Sequence, residues 1–139
     1  MKLLPLQKEL LGKIFKSERI LSQETEKTHY FTDGLVIWAI PKHECHIKHD
    51  RETDFCEKIM TRDDYTEELF DSGDRKIVGK TVILVLKTAD GRVTWINEKL
   101  LKHFEEPTLF QGENSTDPIL IKESGKPVGL VLPIRRSEE

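Results

Sequence analysis

Apolar residues along this chain change their spacing several times, and each change predicts a new element. From Leu6 to Arg19 they recur in steps of three and four. With Leu3 just ahead, Leu10, Leu11, Ile14 and Phe15 would cover one broad face of an amphipathic helix, leaving Lys8, Lys13, Lys16 and Arg19 on the other. Gly12 in its middle takes about 1 kcal/mol from the helix propensity. From Lys27 to Pro41 the residues become β-formers: Thr28, Tyr30 and Phe31, then the run Leu35 to Ile40. Asp33-Gly34 interrupts them, with glycine available for a positive φ or a bulge, and Pro41 ends the strand's ability to donate.

The second half is patterned more regularly. Thr81 to Lys87 holds Val82-Ile83-Leu84-Val85-Leu86, an apolar run suited to a central strand or one covered on both faces. Asp90-Gly91 predicts a type I′ hairpin turn, and Val93 to Ile96 the returning strand. Asn97 is a good N-cap for a second helix, with Leu100, Leu101 and Phe104 on one face and Lys99, Lys102 and His103 on the opposite one. A strand at Pro118 to Lys122, a turn at Glu123 to Lys126 and a strand at Val128 to Leu132 follow, and the pattern closes on Leu132-Pro133-Ile134-Arg135.

Residues 42–79 break this regularity, being rich in charge and poor in apolar positions. Arg62 to Phe70 reads as a short helix anchored by Tyr65, Leu69 and Phe70, with Asp63 and Asp64 near its positive N-terminal end. That placement explains the two carboxylates better than an acid/base pair does, since no second acidic or histidine motif accompanies them. Ser72-Gly73-Asp74 would end the helix. The whole stretch would be a charged connecting segment within a single domain spanning 1–139.

Composition narrows the classes. At 139 residues the chain suits one domain with a real core. With 37% hydrophobic and 34% charged residues, it is expected to be soluble and heavily charged at its surface. A net charge of −3 means that any nucleic-acid contact must be local. No apolar run is long enough for a membrane span or a secretory signal, and two cysteines make no disulfide framework, so the cytoplasm is the default expectation. There is no internal repeat and no glycine loop to cradle phosphate, and no cofactor is expected.

One cluster carries candidate metal chemistry. His43, Cys45, His46, His49 and Cys56 bring borderline-soft ligands within a short stretch, as a zinc site requires. The spacing of the first four matches no finger or ribbon pattern and lacks a Cys-x-x-Cys pair. On a strand His43 and Cys45 would share a face that His46 would not. A polar loop that happens to contain histidines is the competing reading. A nucleophilic Cys–His pair has no recognisable orienting group or oxyanion hole.

The order of residues from Asn97 to Arg135 resembles the C-terminal part of the bacterial sliding clamp, the DNA polymerase III beta subunit. Asn97, Leu100 and Leu101, the strand Pro118 to Lys122, and Leu132-Pro133-Ile134-Arg135 stand at matching places, and Thr32-Asp33-Gly34 resembles a clamp segment between two early strands. The resemblance implies an α+β, clamp-like domain: a curved antiparallel sheet with two helices on one face. It implies no chemistry. Clamp domains ring duplex DNA and hold replication proteins as processivity factors. By that likeness Lys8, Lys13, Lys16, Arg19, Lys99 and Lys102 would meet phosphates without reading sequence, although a solvated helix face is the ordinary fate of such lysines. Leu130, Leu132, Pro133 and Ile134 would line part of a pocket for short peptides, although most apolar strand residues are simply core.

Residues 42–79 have no counterpart in clamps, so by this likeness they read as an insertion or a mobile connection, and the larger departure from the family is in size. Clamp chains carry three such domains, and the rest of the pocket belongs to a neighbouring domain. A ring here would need six copies, and an interface that failed to close would give filaments. The resemblance therefore fits a small relative of phage or mobile-element type: a DNA-associated accessory protein, a clamp mimic or a fold put to another use. The rival expectation is a metal-dependent or redox protein built on residues 43–56.

Overall fold

Every residue from Val36 to Ile40 is buried, because that strand has apolar cover on both of its faces. Side chains alternate across a strand, so Val36, Trp38 and Ile40 enter one cluster while Ile37 and Ala39 enter another. The structure, a computed structural model, describes residues 1–135. Its strands are β1 (Leu21–Glu24), β2 (Thr28–Thr32), β3 (Val36–Pro41), β4 (Glu67–Val78), β5 (Thr81–Lys87), β6 (Val93–Asn97), β7 (Thr108–Gln111), β8 (Ile119–Glu123) and β9 (Lys126–Val131). They form one antiparallel sheet in the order β1-β2-β3-β9-β8-β7-β4-β5-β6, accompanied by the helices α1 (Leu3–Phe15) and α2 (Cys56–Met60). The fold class is α+β.

The sheet curls on itself. Ile134, just past β9, donates its backbone N–H to the Trp95 carbonyl on the far edge strand at 2.7 Å. Inside the curl lies the main cluster, which takes Leu84 and Leu86 from β5, Ile119 and Ile121 from β8, Val131 from β9, and Leu6 and Leu10 from α1. The outer row of β1 is also occupied: Ser22 N–H donates to Arg51 O and Ser22 O accepts from Thr53 N–H, both at 2.8 Å. Partly covered edges offer less template for adding strands.

Helix α1 sits one turn earlier than its pattern predicted and is rotated. Leu6, Gln7 and Leu10 are its buried residues, whereas Leu11 and Phe15, expected inside, are 41% and 82% exposed. Gln7 explains the rotation. Its amide donates to Glu44 O at 3.0 Å and accepts from His46 N–H at 2.6 Å, so a polar residue takes a core position by tying down the chain beyond β3.

The second helix is shorter than expected. Asn97 does act as a cap, its side chain accepting from Lys99 N–H at 3.1 Å, but only one 3₁₀ turn follows, Glu98–Leu101. Phe104 turns into the main cluster, Glu106 adopts a positive φ of 43°, and Pro107 disfavours helix in the residue before it. His103, expected outside, is buried. This turn and α1 pack on the same cluster, but α2 covers the other face with Cys56 and Met60. Helical segments therefore flank the sheet on both sides rather than on one.

Residues 62–70 form no helix. Leu69 is buried in the main cluster on β4, whose first residues pair with β7 and whose remainder pairs with β5. The Ser72-Gly73-Asp74 segment is a bulge inside that strand rather than a break. Ser72 Oγ donates to Val85 O at 2.7 Å, and Gly73 takes a φ of 84°. Asp63 and Asp64 are exposed, and Asp64 pairs with Arg62 instead of meeting a helix end.

The hairpins differ in how they turn. Ser124 and Gly125, with φ of 51° and 79°, make the doubly positive turn between β8 and β9. Asp90-Gly91 does not, since only Gly91 is positive there. Instead a five-residue connection is tied by Thr88 N–H to Arg92 O at 2.9 Å.

Candidate functional site

The hairpin joining β2 to β3 is built on Asp33. Its carboxylate accepts from the N–H groups of Leu35 and Val36, both at 2.9 Å, and Thr32 Oγ1 accepts from Gly34 N–H at 3.1 Å. Beyond this turn β3 runs antiparallel to β9, so Leu132 N–H reaches Leu35 O at 2.9 Å. Two segments almost a hundred residues apart in sequence thus lie side by side. Leu35 is 53% exposed and Leu132 36%, while Pro133 and Ile134 are half-buried. On the other side of the turn, a cleft of about 220 Å³ is lined by Arg19, Leu21, Thr32, Asp33, Gly34 and Phe55, and not by Leu35 or Leu132. Leu130 stands apart from this surface: it is buried in the cluster beneath α2, so it is core and not a pocket wall.

The basic residues come from two elements that touch. Glu9 on α1 accepts from the buried ring of His103 and pairs with Lys102 at 3.4 Å. Burial works to raise the Glu9 pKa, but the bond and charge of His103, with Lys102, outweigh it and hold the carboxyl below its ordinary value. Lys8, Lys16, Arg19, Lys99 and Lys102 are exposed and Lys13 half-buried. The outward face of α1 is mixed in character, for Leu4, Leu11 and Phe15 are exposed beside Lys8.

The histidine and cysteine cluster is dispersed. His43 and His46 are exposed, while the His49 Nε2 donates to Ile20 O at 2.7 Å. Cys45 Sγ donates to Ile47 O at 3.3 Å. Among the described residues no group of three or more His, Cys, Asp or Glu side chains is placed to hold a metal ion.

Cys45 does meet a histidine, but one that lies far from it along the chain: His29 Nδ1 is 3.5 Å from its Sγ, across from β2. The alternation of β2 was the only available signal, since it puts His29 on the face of Phe31, against which its ring stacks at 4.4 Å. Burial raises the Cys45 thiol and lowers the His29 imidazole, opposite to what a thiolate–imidazolium pair needs. Cys56 is buried under the sheet and its thiol is pushed up to about 11.

Burial holds His29 below its ordinary value of 6.5, with Glu24 only partly opposing the shift. The unfolded chain therefore takes up the proton first, and stability should decline as pH falls through 6.5 towards the folded value. Above 6.5 this dependence disappears. Urea midpoints of the wild type and His29→Gln on either side of that pH would check it. The variant is expected to have the flatter profile in that window, and equal slopes would remove His29 as the source.

No protein-family model, curated protein or solved structure matches this chain. Among the described residues no helix is long and apolar enough to cross a membrane.

Proposed function

We propose that this chain is a non-enzymatic binding module of sliding-clamp type, serving DNA replication by holding a short peptide of a partner protein. The supporting observation is the contact of Leu35 with Leu132, which sets two of the segments that carry the resemblance, Thr32–Gly34 and Leu132–Arg135, close along the chain to one junction. In the clamp the pocket is shared between neighbouring domains. Here β3 pairs with β9, so Leu35 and Leu132 stand side by side and exposed on one chain, and Thr32–Gly34, just ahead of Leu35, line a cleft. Exposed apolar side chains grouped with a cleft favour docking over solvation.

The test is fluorescence anisotropy with a labelled polymerase peptide of the clamp-binding kind. Wild type should bind, and Leu132→Asp should weaken binding by about tenfold or more, as the loss of a central apolar contact does. Equal binding by that variant would move the site elsewhere.

The contact of α1 with the turn after β6 supports duplex DNA as a second partner, since it joins the two basic segments through Glu9. Binding through these lysines would be steeply salt-dependent and insensitive to sequence. Replacing Lys8, Lys13, Lys16 and Arg19 by Glu should abolish a gel shift with duplex DNA. A shift that survives all four reversals excludes α1 as the contact.

A further inference from the structure

The β4–β5 hairpin projects past the strands that flank it. β6 pairs only with residues 83–87 of β5, and β7 only with residues 67–69 of β4. Between this arm and the 3₁₀ turn after β6 lies a groove of about 450 Å³, walled by Lys80, Val82, Lys99, Leu101 and Lys102. That volume falls within the range of small-ligand and peptide side-chain sites.

The groove joins two kinds of surface. Val82 and Leu101 give it an apolar lining, and Ile77 pairs directly opposite Val82 with 76% of its surface exposed. The three lysines are exposed. Glu98 also lines the groove, but Arg75 engages it through Nε at 2.6 Å while its Nη1 and Nη2 hold Asp71, each at 3.0 Å. The groove is therefore cationic within a chain of net charge −3.

We propose that this groove docks an acidic peptide segment of a partner protein. A bulky apolar side chain of the peptide enters between Val82 and Leu101, and carboxylates on either side of it meet Lys80, Lys99 and Lys102. The chemistry favours a peptide over nucleic acid on two counts, the lining's lack of aromatic rings and its apolar residues. No aromatic ring lines the groove to stack a base. Lysines serve carboxylates and phosphates alike, so the charge by itself does not choose between them. An apolar lining gains nothing from a phosphate backbone but gains from burying a leucine or phenylalanine side chain. The proposal goes beyond the reading above, because it uses neither Leu35 nor Leu132. Lys99 and Lys102 are shared with the DNA surface, so the test must separate the two.

A displayed library of random-sequence peptides, panned against the full chain, provides that test. The peptides selected should place Asp or Glu on both sides of a Leu, Ile or Phe. Their affinity should fall at least tenfold in Lys80→Glu/Lys99→Glu and in Val82→Asp, all solvent-facing changes checked by thermal melting, and stay unchanged in Leu132→Asp. The double lysine variant keeps the test decisive if Val82→Asp melts early. Failure to enrich any peptide, enrichment without acidic residues, or equal affinity in the groove variants would overturn the proposal. If short duplex DNA binds wild type, is lost in the same variants and displaces the peptides, the groove belongs to DNA instead. Loss of peptide binding in Leu132→Asp alone would point back to the β3–β9 junction and not to this groove.

Discussion

Gly129→Ala is expected to be the most damaging single methyl group that can be added to this chain. Gly129 lies on β9 opposite Trp38 of β3 and Ile121 of β8, in the middle of the sheet. A Cβ there would fall 2.5 and 2.6 Å from Cζ and Cε1 of Phe104 and 2.7 Å from the carbonyl oxygen of Ile37. The ring lies against the bare backbone because nothing else occupies that space, and the carbonyl belongs to a paired strand. Neither can retreat without opening the main cluster or the ladder. Overpacking in such a core costs about 3 kcal/mol, and more where backbone is the obstacle. Urea unfolding would read this as a lower midpoint. Adding Phe104→Leu should recover part of the loss, since the smaller side chain vacates the ring edge. A double-mutant cycle showing simple additivity would refute the contact as the cause.

Gln111→Leu should cost nearly as much, by a different route. Gln111 is wholly buried at the end of β7 and is fully engaged. Its Oε1 accepts from Thr94 Oγ1 and from Arg92 Nη2, each at 2.9 Å, and its Nε2 donates to Asp117 O at 2.9 Å. Arg92 also reaches the carbonyls of Gly112 and Glu113. One amide thereby joins β6 to the loop between β7 and β8, two elements with no direct strand pairing. Leucine fills a similar volume but leaves a buried hydroxyl, a guanidinium and a carbonyl short of a partner. Each such orphan costs about 1–3 kcal/mol, so a total near 3 kcal/mol is expected, read again from denaturant midpoints. Gln111→Glu should be tolerated better, since a carboxylate still accepts from Arg92 and Thr94 and the guanidinium offsets its charge, leaving as penalty the lost bond to Asp117 O and the repulsion of the two oxygens there. Equal damage from both replacements would show that packing, not hydrogen bonding, sets the cost.

Elements controlled by local chemistry could be read from the order of residues. The strands around Val36–Ile40, Val82–Leu86, Ile119–Ile121 and Val128–Val131 follow from short runs of apolar and β-branched residues. Ser124-Gly125 follows from the turn it must make, and Asn97 from its capping oxygen. Where a residue's partner is distant, the outcome depended on long-range packing. Residues 67–78 carry no clear strand alternation because most of that strand is exposed on both faces, and it is held by backbone pairing with β5 and β7. The orientation of α1 was hidden by Gln7, a polar residue buried because it bonds to residues 44 and 46, and the helix after Asn97 was cut short by the burial of Phe104.

The candidate sites divide in the same way. Thr32–Gly34 and Leu132–Ile134 were legible as segments, yet only the pairing of β3 with β9 could set Leu132 against Leu35, the residue after that turn. The groove under the β4–β5 arm was not legible at all, because it exists only where a hairpin outruns its neighbours. His43, Cys45, His46 and His49 are neighbours in sequence, but the chain leaving β3 directs them to separate partners or to solvent. Proximity along a chain constrains a turn or a cap within a few residues. It does not bring ligands together unless the backbone folds back on itself, and that is decided by the core beneath.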